Sequence, residues 1–130
     1  MINPSLDNKA LGNKGELFVV NYLQQKGFTV CSQNYRKFFG EIDIIAHKKQ
    51  LYVFVEVKTR KSTTIAMGQL VNVSKQKKII KTAQTFISEQ QLYNKTFRFD
   101  VALLTKNKDE FAINYVENAF TQQESSYHGY

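Results

Sequence analysis

The 130-residue chain holds a single cysteine, Cys31, so no disulfide can close within it. That excludes the disulfide-stapled class of small secreted domains and fits a reducing cytosol. Long apolar runs are missing too. The densest, Leu51 to Val57, falls far short of the roughly 20 residues that a membrane-spanning helix requires. Met1-Ile2-Asn3-Pro4-Ser5 shows no basic segment leading into an apolar one, so no secretory signal is expected. A soluble, cytoplasmic protein with no membrane partner follows. Internal repeats, low-complexity tracts and linkers are also absent. The expected organisation is therefore one domain over residues 1–120 with a polar tail over 121–130.

What the chain does have is charge and aromatic bulk. Its formal charge is +7, and it carries ten Phe and seven Tyr. The apolar content supports a core that needs no disulfide or structural metal. A basic excess draws in polyanions, and nucleic acid is the natural partner class. Improved solubility alone would also account for the charge, because no block of consecutive basic residues marks a binding arm.

Residues 6–26 read as a helix, with Ser5 as its N-cap, Pro4 outside it and Gly27 as a left-handed stop. Ala10, Leu11, Leu17, Phe18 and Leu23 follow helical spacing, while Gly12 and Gly15 weaken its middle. Strands are predicted at Thr29–Arg36, Glu41–His47 and Leu51–Lys58, the last two closing as a hairpin through Lys48, Lys49 and Gln50. Lys61–Asn72 reads as a loop. A second helix follows at Ser74–Gln90, capped by Ser74, with Ile79, Ile80, Ala83, Phe86 and Ile87 as its apolar stripe. Strands at Phe97–Leu104 and Ala112–Val116 complete the order α-β-β-β-α-β-β. That order implies an α/β domain with a central mixed sheet flanked by helices.

The third strand carries the clearest chemical signal. Alternation puts Leu51, Val53, Val55 and Val57 on one face and Tyr52, Phe54, Glu56 and Lys58 on the other. A carboxylate and an ammonium thus converge at the end of an otherwise apolar strand. The second strand holds a similar anomaly, Asp43 within Ile42-Asp43-Ile44-Ile45-Ala46. A charge in such a run is costly unless it is paired or bound to a cation. If the two strands are neighbours, Asp43 and Glu56 share a face, and a divalent cation would relieve their repulsion. Hard oxygen ligands suit Mg²⁺, with Mn²⁺ also accepted. Asp43, Glu56 and Lys58 are the minimal parts for metal-dependent phosphodiester hydrolysis. Taken alone, Glu-x-Lys at a strand end is commonly a solvated ion pair.

The pattern resembles the PD-(D/E)xK nuclease superfamily of restriction-endonuclease-like folds, which includes Holliday-junction resolvases. More closely it resembles the YraN-like family of small bacterial proteins. The resemblance rests on Gly15-Glu16, Asn34-Tyr35-Arg36, Gly40-Glu41-Ile42-Asp43-Ile44-Ile45-Ala46 and Val53-Phe54-Val55-Glu56-Val57-Lys58-Thr59-Arg60. It continues through Lys77, Arg98-Phe99-Asp100-Val101 and Asn118-Ala119-Phe120. Ile42 stands where the superfamily name has proline. The resemblance implies that Asp43 and Glu56 bind metal, that Lys58 is the catalytic lysine and that Glu16 completes the metal site. It also implies a homodimer if a branched substrate is cut symmetrically.

Arg36, Lys37, Arg60, Lys61, Lys75, Lys77 and Lys78 are the expected phosphate contacts. The lysines that open the second helix oppose its dipole, which favours a contact role over a local one. Phe38 and Phe39 precede Gly40 and could stack on unpaired bases, pack in the core or meet a second copy. Glu41 and His47 read as surface groups, Arg98 with Asp100 as a pair bracing the sheet, and Cys31 as a small apolar residue. The expected activity is a Mg²⁺-dependent DNA endonuclease, with branched DNA as the candidate substrate and RNA left open. The alternatives are a non-catalytic nucleic-acid-binding module and a scaffold that docks a protein.

Overall fold

The computed structural model describes residues 4–61 and 71–122, with side chains from residue 13 onward. Two helices and five strands follow the expected order: α1 (Pro4–Gln25), β1 (Thr29–Lys37), β2 (Gly40–Lys48), β3 (Leu51–Arg60), α2 (Val73–Glu89), β4 (Thr96–Asn107) and β5 (Glu110–Phe120). Residues 62–70, the centre of the expected loop, and 123–130, most of the expected tail, lie outside the described residues. No helix among those described is long and apolar enough to cross a membrane.

The strands form one sheet in sequential order, β1-β2-β3-β4-β5. All neighbours are antiparallel except β3 and β4, which run parallel. A parallel pair needs a crossover, and α2 lies in that connection. The alternation on β3 sorts the core into two layers. Val53 and Val55 join Val19, Val20, Leu23, Ile44, Ala46, Ala102 and Leu104 beneath α1. Phe54 joins Ile42, Ile45, Ile79, Ala83, Phe86, Val101 and Leu103 beneath α2. Phe97, Phe99 and Phe120 extend this second layer, stacking on Phe54 and on one another.

Three local expectations are corrected. The first helix already contains Pro4 and Ser5, so Ser5 is not its cap. Its buried face is Val19, Val20 and Leu23, whereas Leu17 is 58% exposed; Ala10 and Leu11 have side chains outside the described set. At the second helix the cap is Asn72, not Ser74. Asn72 is extended, and its side chain accepts the Lys75 N–H at 2.9 Å, which leaves Ser74 inside the first turn. Gly27 does end α1 in a left-handed conformation, at φ 93°. Its N–H donates to the Gln24 carbonyl while Phe28 N–H reaches back to Leu23.

Gly15 has a packing reason that helix propensity hides. A Cβ there would stand 3.2 Å from Leu104 Cδ1 and 3.3 Å from Thr59 Oγ1. Its absence lets α1 lie close on β3 and β4, carrying Glu16 toward the same end of the sheet. Elsewhere in β4, Asp100 is fully buried and takes both forks of Arg98 at 2.9 Å, the Tyr115 hydroxyl at 2.6 Å and the Asn118 N–H at 2.9 Å. The register of β4 with β5 shifts at this point, between Phe99 and Val101. The expected sheet-bracing pair thus also pins a bulge.

Candidate functional site

The site begins where two strands separate. Pairing of β2 with β3 runs from Lys48↔Leu51 to Ile44↔Val55 and ends there. One residue further on, the Asp43 side chain takes over from the backbone: its Oδ2 accepts the Val57 N–H at 2.8 Å. A carboxylate therefore stands in a carbonyl's place at the mouth of the fork. This explains why a charge is tolerated within an apolar strand, because its burial is offset by a backbone donor that needs an acceptor.

Glu56 faces the fork from β3. It is 8% exposed, and its Oε1 accepts from Lys75 Nζ at 2.7 Å. Lys75 comes from the first turn of α2. This lysine is thus not an open phosphate contact in this structure; it reaches inward as the counter-ion of the buried acid. Lys58, on the same face of β3, is partly buried. Burial lowers its ammonium's pKa first, and the charge of Lys75 adds to the effect.

Asp43 carries the largest consequence of this crowding. Burial raises its carboxyl, the charge of Glu56 raises it further, and the Val57 N–H holds it down only in part. Glu16 and Glu41 add smaller repulsions, and the result is pushed up to about 7. Glu16 therefore belongs to the electrostatic neighbourhood of Asp43. Its own head is taken by Asn34, whose Nδ2 donates at 3.1 Å. Asn34 is left-handed, with φ 54°, and lies between the paired positions Gln33↔Ile44 and Tyr35↔Ile42, opposite Asp43.

The donor chemistry fits a hard divalent cation: two neighbouring carboxylates that repel, with an ammonium already drawn onto one of them. Even so, no three His, Cys, Asp or Glu side chains among the described residues are grouped to hold a metal. The reason is visible in the bonds, since each acid is turned to its own partner: Asp43 to Val57, Glu56 to Lys75 and Glu16 to Asn34.

The other expected contacts divide. Arg36 pairs with Glu41 at 2.9 Å and Lys37 with Glu89 at 2.8 Å, both near the β1–β2 turn. Arg60 is exposed and donates to the Thr59 carbonyl, and Lys61 is exposed beside it. Lys77 and Lys78 are exposed on α2. His47 stacks on Tyr52 with centroids 5.1 Å apart. The thiol of Cys31 lies at the register shift in β1 and donates to the Ile45 carbonyl at 3.2 Å.

Two residues that position the site were given no role from the sequence. Asn34 looks like an ordinary strand residue, and only its backbone conformation shows why an amide faces Glu16. Thr82 is fully buried in α2 and donates to the Lys78 carbonyl. It sits directly against Gly40, where a Cβ would meet its Oγ1 at 2.6 Å. Polar type hid it from a search for apolar stripes, although its spacing from Ile79 and Phe86 would have revealed the face.

Residues 15–104 match the family described as Uncharacterised protein family UPF0102. That span starts at Gly15, covers the fork and α2, and ends in β4. The chain belongs to this family. Three UPF0102 proteins illustrate how much is shared. One from Alkaliphilus metalliredigens is 43% identical over 114 residues, 87% of this chain and 99% of its own. One from Clostridium acetobutylicum is 41% identical over 116 residues, 87% and 95% of the two chains. One from Dictyoglomus turgidum is 40% identical over 118 residues, 88% of this chain and 100% of its own. The expected YraN-like membership is thus confirmed, and the UPF0102 match contains every acid of the candidate site.

Proposed function

We propose that this chain is a Mg²⁺-dependent endonuclease that hydrolyses DNA phosphodiester bonds, with branched DNA as its preferred substrate and Mn²⁺ as a workable substitute. The observation that carries this reading is the fork itself. Asp43 and Glu56 meet where β2 leaves β3, with Lys58 two residues beyond Glu56 on the same face. A strand fork bearing two acids and a lysine is also what a PD-(D/E)xK, restriction-endonuclease-like scaffold calls for.

Asp43 and Glu56 are the residues that would hold the cation, with Glu16 as a third acid once it releases Asn34. When bound, Mg²⁺ polarises a phosphoryl oxygen and acidifies a coordinated water. The chain's own groups do the rest. Lys58 lies where its ammonium can offset negative charge developing on the phosphate. Lys77, Lys78, Arg60 and Lys61 extend a basic surface from the fork, and backbone contacts of this kind position nucleic acid without reading its sequence. Arg36 and Lys37 add to that surface beyond the β1–β2 turn. Symmetric cutting of a branch needs two such sites, hence a homodimer.

One observation favours the second reading, a nucleic-acid-binding protein without turnover. The Lys75 ammonium already neutralises Glu56, as would suit a site that has given up its metal. Labelled branched and linear DNA, incubated with Mg²⁺, with Mn²⁺ and with chelator, separates the two. Cleavage that requires metal and disappears in Glu56→Ala supports the nuclease. A gel shift by the parent with no cutting under any condition supports the binding module.

A further inference from the structure

The turn between β1 and β2 carries an aromatic that neither the core nor the acids use. Lys37 pairs with Gly40, so Phe38 and Phe39 alone form the connection. Phe38 is 99% exposed. Such a ring in water is costly, yet this one is held there firmly. Phe39 meets it edge-on with centroids 5.0 Å apart, and Lys81 Nζ stands 4.7 Å over the Phe39 ring. The base of the hairpin is clamped to α2: Gly40 lies so near Thr82 Oγ1 and the Lys78 carbonyl that no Cβ fits. Tyr35 packs edge-on against Phe86 and donates to Glu89, which also binds Lys37. The tip is a short, braced arm that ends in a bare phenyl ring.

Its surroundings indicate what it meets. Four cations, Arg36, Lys37, Lys78 and Lys81, lie around the tip against two carboxylates, Glu41 and Glu89. A second copy docking through Phe38 would bring the two basic clusters together, and like charges across an interface oppose association. A nucleobase offers a flat face for the ring and a phosphate chain for the cations. A groove of about 350 Å³ leads on from the tip, lined by Gly40, Glu41, Asn72, Ser74, Lys75 and Lys78. One of these, Lys75, is the lysine that binds Glu56. From Gly40 to Asp43 along β2 is roughly 10 Å at strand rise, so one short stretch of a single strand reaches from the tip to the acids.

We propose that Phe38 is a positioning residue that stacks on an unpaired base where a duplex ends, so that the emerging strand is directed along the groove to the acids. The assignment rests on the nucleic-acid reading above and adds the feature of the substrate that is recognised: an exposed base face beside a duplex, not the duplex itself.

The chain contains no tryptophan, so Phe38→Trp introduces a lone indole at the tip. In chelator, this variant is titrated with a forked duplex and with a blunt duplex of equal length. Labelled-DNA anisotropy follows affinity for the parent and for Phe38→Ala in parallel. Strong quenching of the indole by the fork and little by the blunt duplex is expected. Phe38→Ala should bind the fork about tenfold more weakly than the parent, bringing the fork-to-duplex affinity ratio toward one while its thermal melt matches the parent's. Equal quenching by both DNAs, or an unchanged ratio in Phe38→Ala, overturns the stacking role while leaving the nucleic-acid reading in place. Failure of the folded parent to bind either DNA removes both. An indole signal that follows protein concentration without DNA, with a dimer lost in Phe38→Ala, overturns the assignment in favour of self-association.

Discussion

Asp43→Asn should make the metal-free protein more stable at neutral pH, and the size of the gain should depend on pH in a defined direction. In the folded chain the Asp43 carboxyl stands at about 7, against an ordinary value of 3.8. Between those values the folded state keeps a proton that the unfolded chain has lost, so stability falls as pH rises from about 4 to about 7 and stays reduced above that. The gap corresponds to at most about 4 kcal/mol at pH 8. Asp43 is only partly buried, and Lys75 keeps Glu56 partly neutralised, so about half of that, ~2 kcal/mol, is the better expectation. Asparagine keeps the oxygen that accepts the Val57 N–H and removes the charge. In chelator at pH 8, Asp43→Asn should melt roughly 8 °C above the parent, and the difference should shrink toward zero near pH 4. Added Mg²⁺ should then raise the parent's melting temperature more than the variant's, because a cation removes the repulsion that the substitution has already removed. A variant no more stable than the parent at pH 8, or a gain constant from pH 5 to 8, would refute the account of the fork as a strained carboxylate pair.

Lys75→Met should tighten metal binding in the absence of nucleic acid, by roughly fivefold for loss of a half-exposed ion pair, as read by calorimetric titration with Mn²⁺. Weaker metal binding would mean that Lys75 supports the site and does not compete for it. Gly40→Ala should cost about 2 kcal/mol from overpacking against Thr82 and the Lys78 carbonyl. Thr82→Ala should recover only part of that loss in the double variant, as thermal melts of all three will show. Asp100→Asn should destabilise by about 3 kcal/mol in urea unfolding, because it leaves Arg98 without its buried counter-ion. Tyr115→Phe, which removes one hydrogen bond to the same carboxylate, should cost about 1 kcal/mol.

The strand alternation on β3 was enough to place Glu56 and Lys58 on the Phe54 face and the valines on the other, because a two-residue period leaves a side chain no third direction. An acid inside Ile42–Ala46 likewise signalled that a partner must exist, since such a charge needs a reason, and the Val57 N–H is one. The order of elements and the bracing of Asp100 by Arg98 came from the same local rules, whereas the crossover role of α2 needed the parallel pairing of β3 with β4. What the fork does with its charges depended on tertiary structure. Sequence spacing placed Lys75 among solvent-facing lysines, yet packing of α2 on the sheet brings it onto Glu56, some 19 residues away. Asn34 faces Glu16 only because one residue of β1 turns left-handed, and Gly15 and Gly40 are explained only by what lies across the gap from each. Local pattern determines which face of a strand or helix a side chain occupies. Which group stands opposite it, and therefore whether a charge is paired, repelled or left open to a ligand, is decided by contacts between residues far apart in the chain.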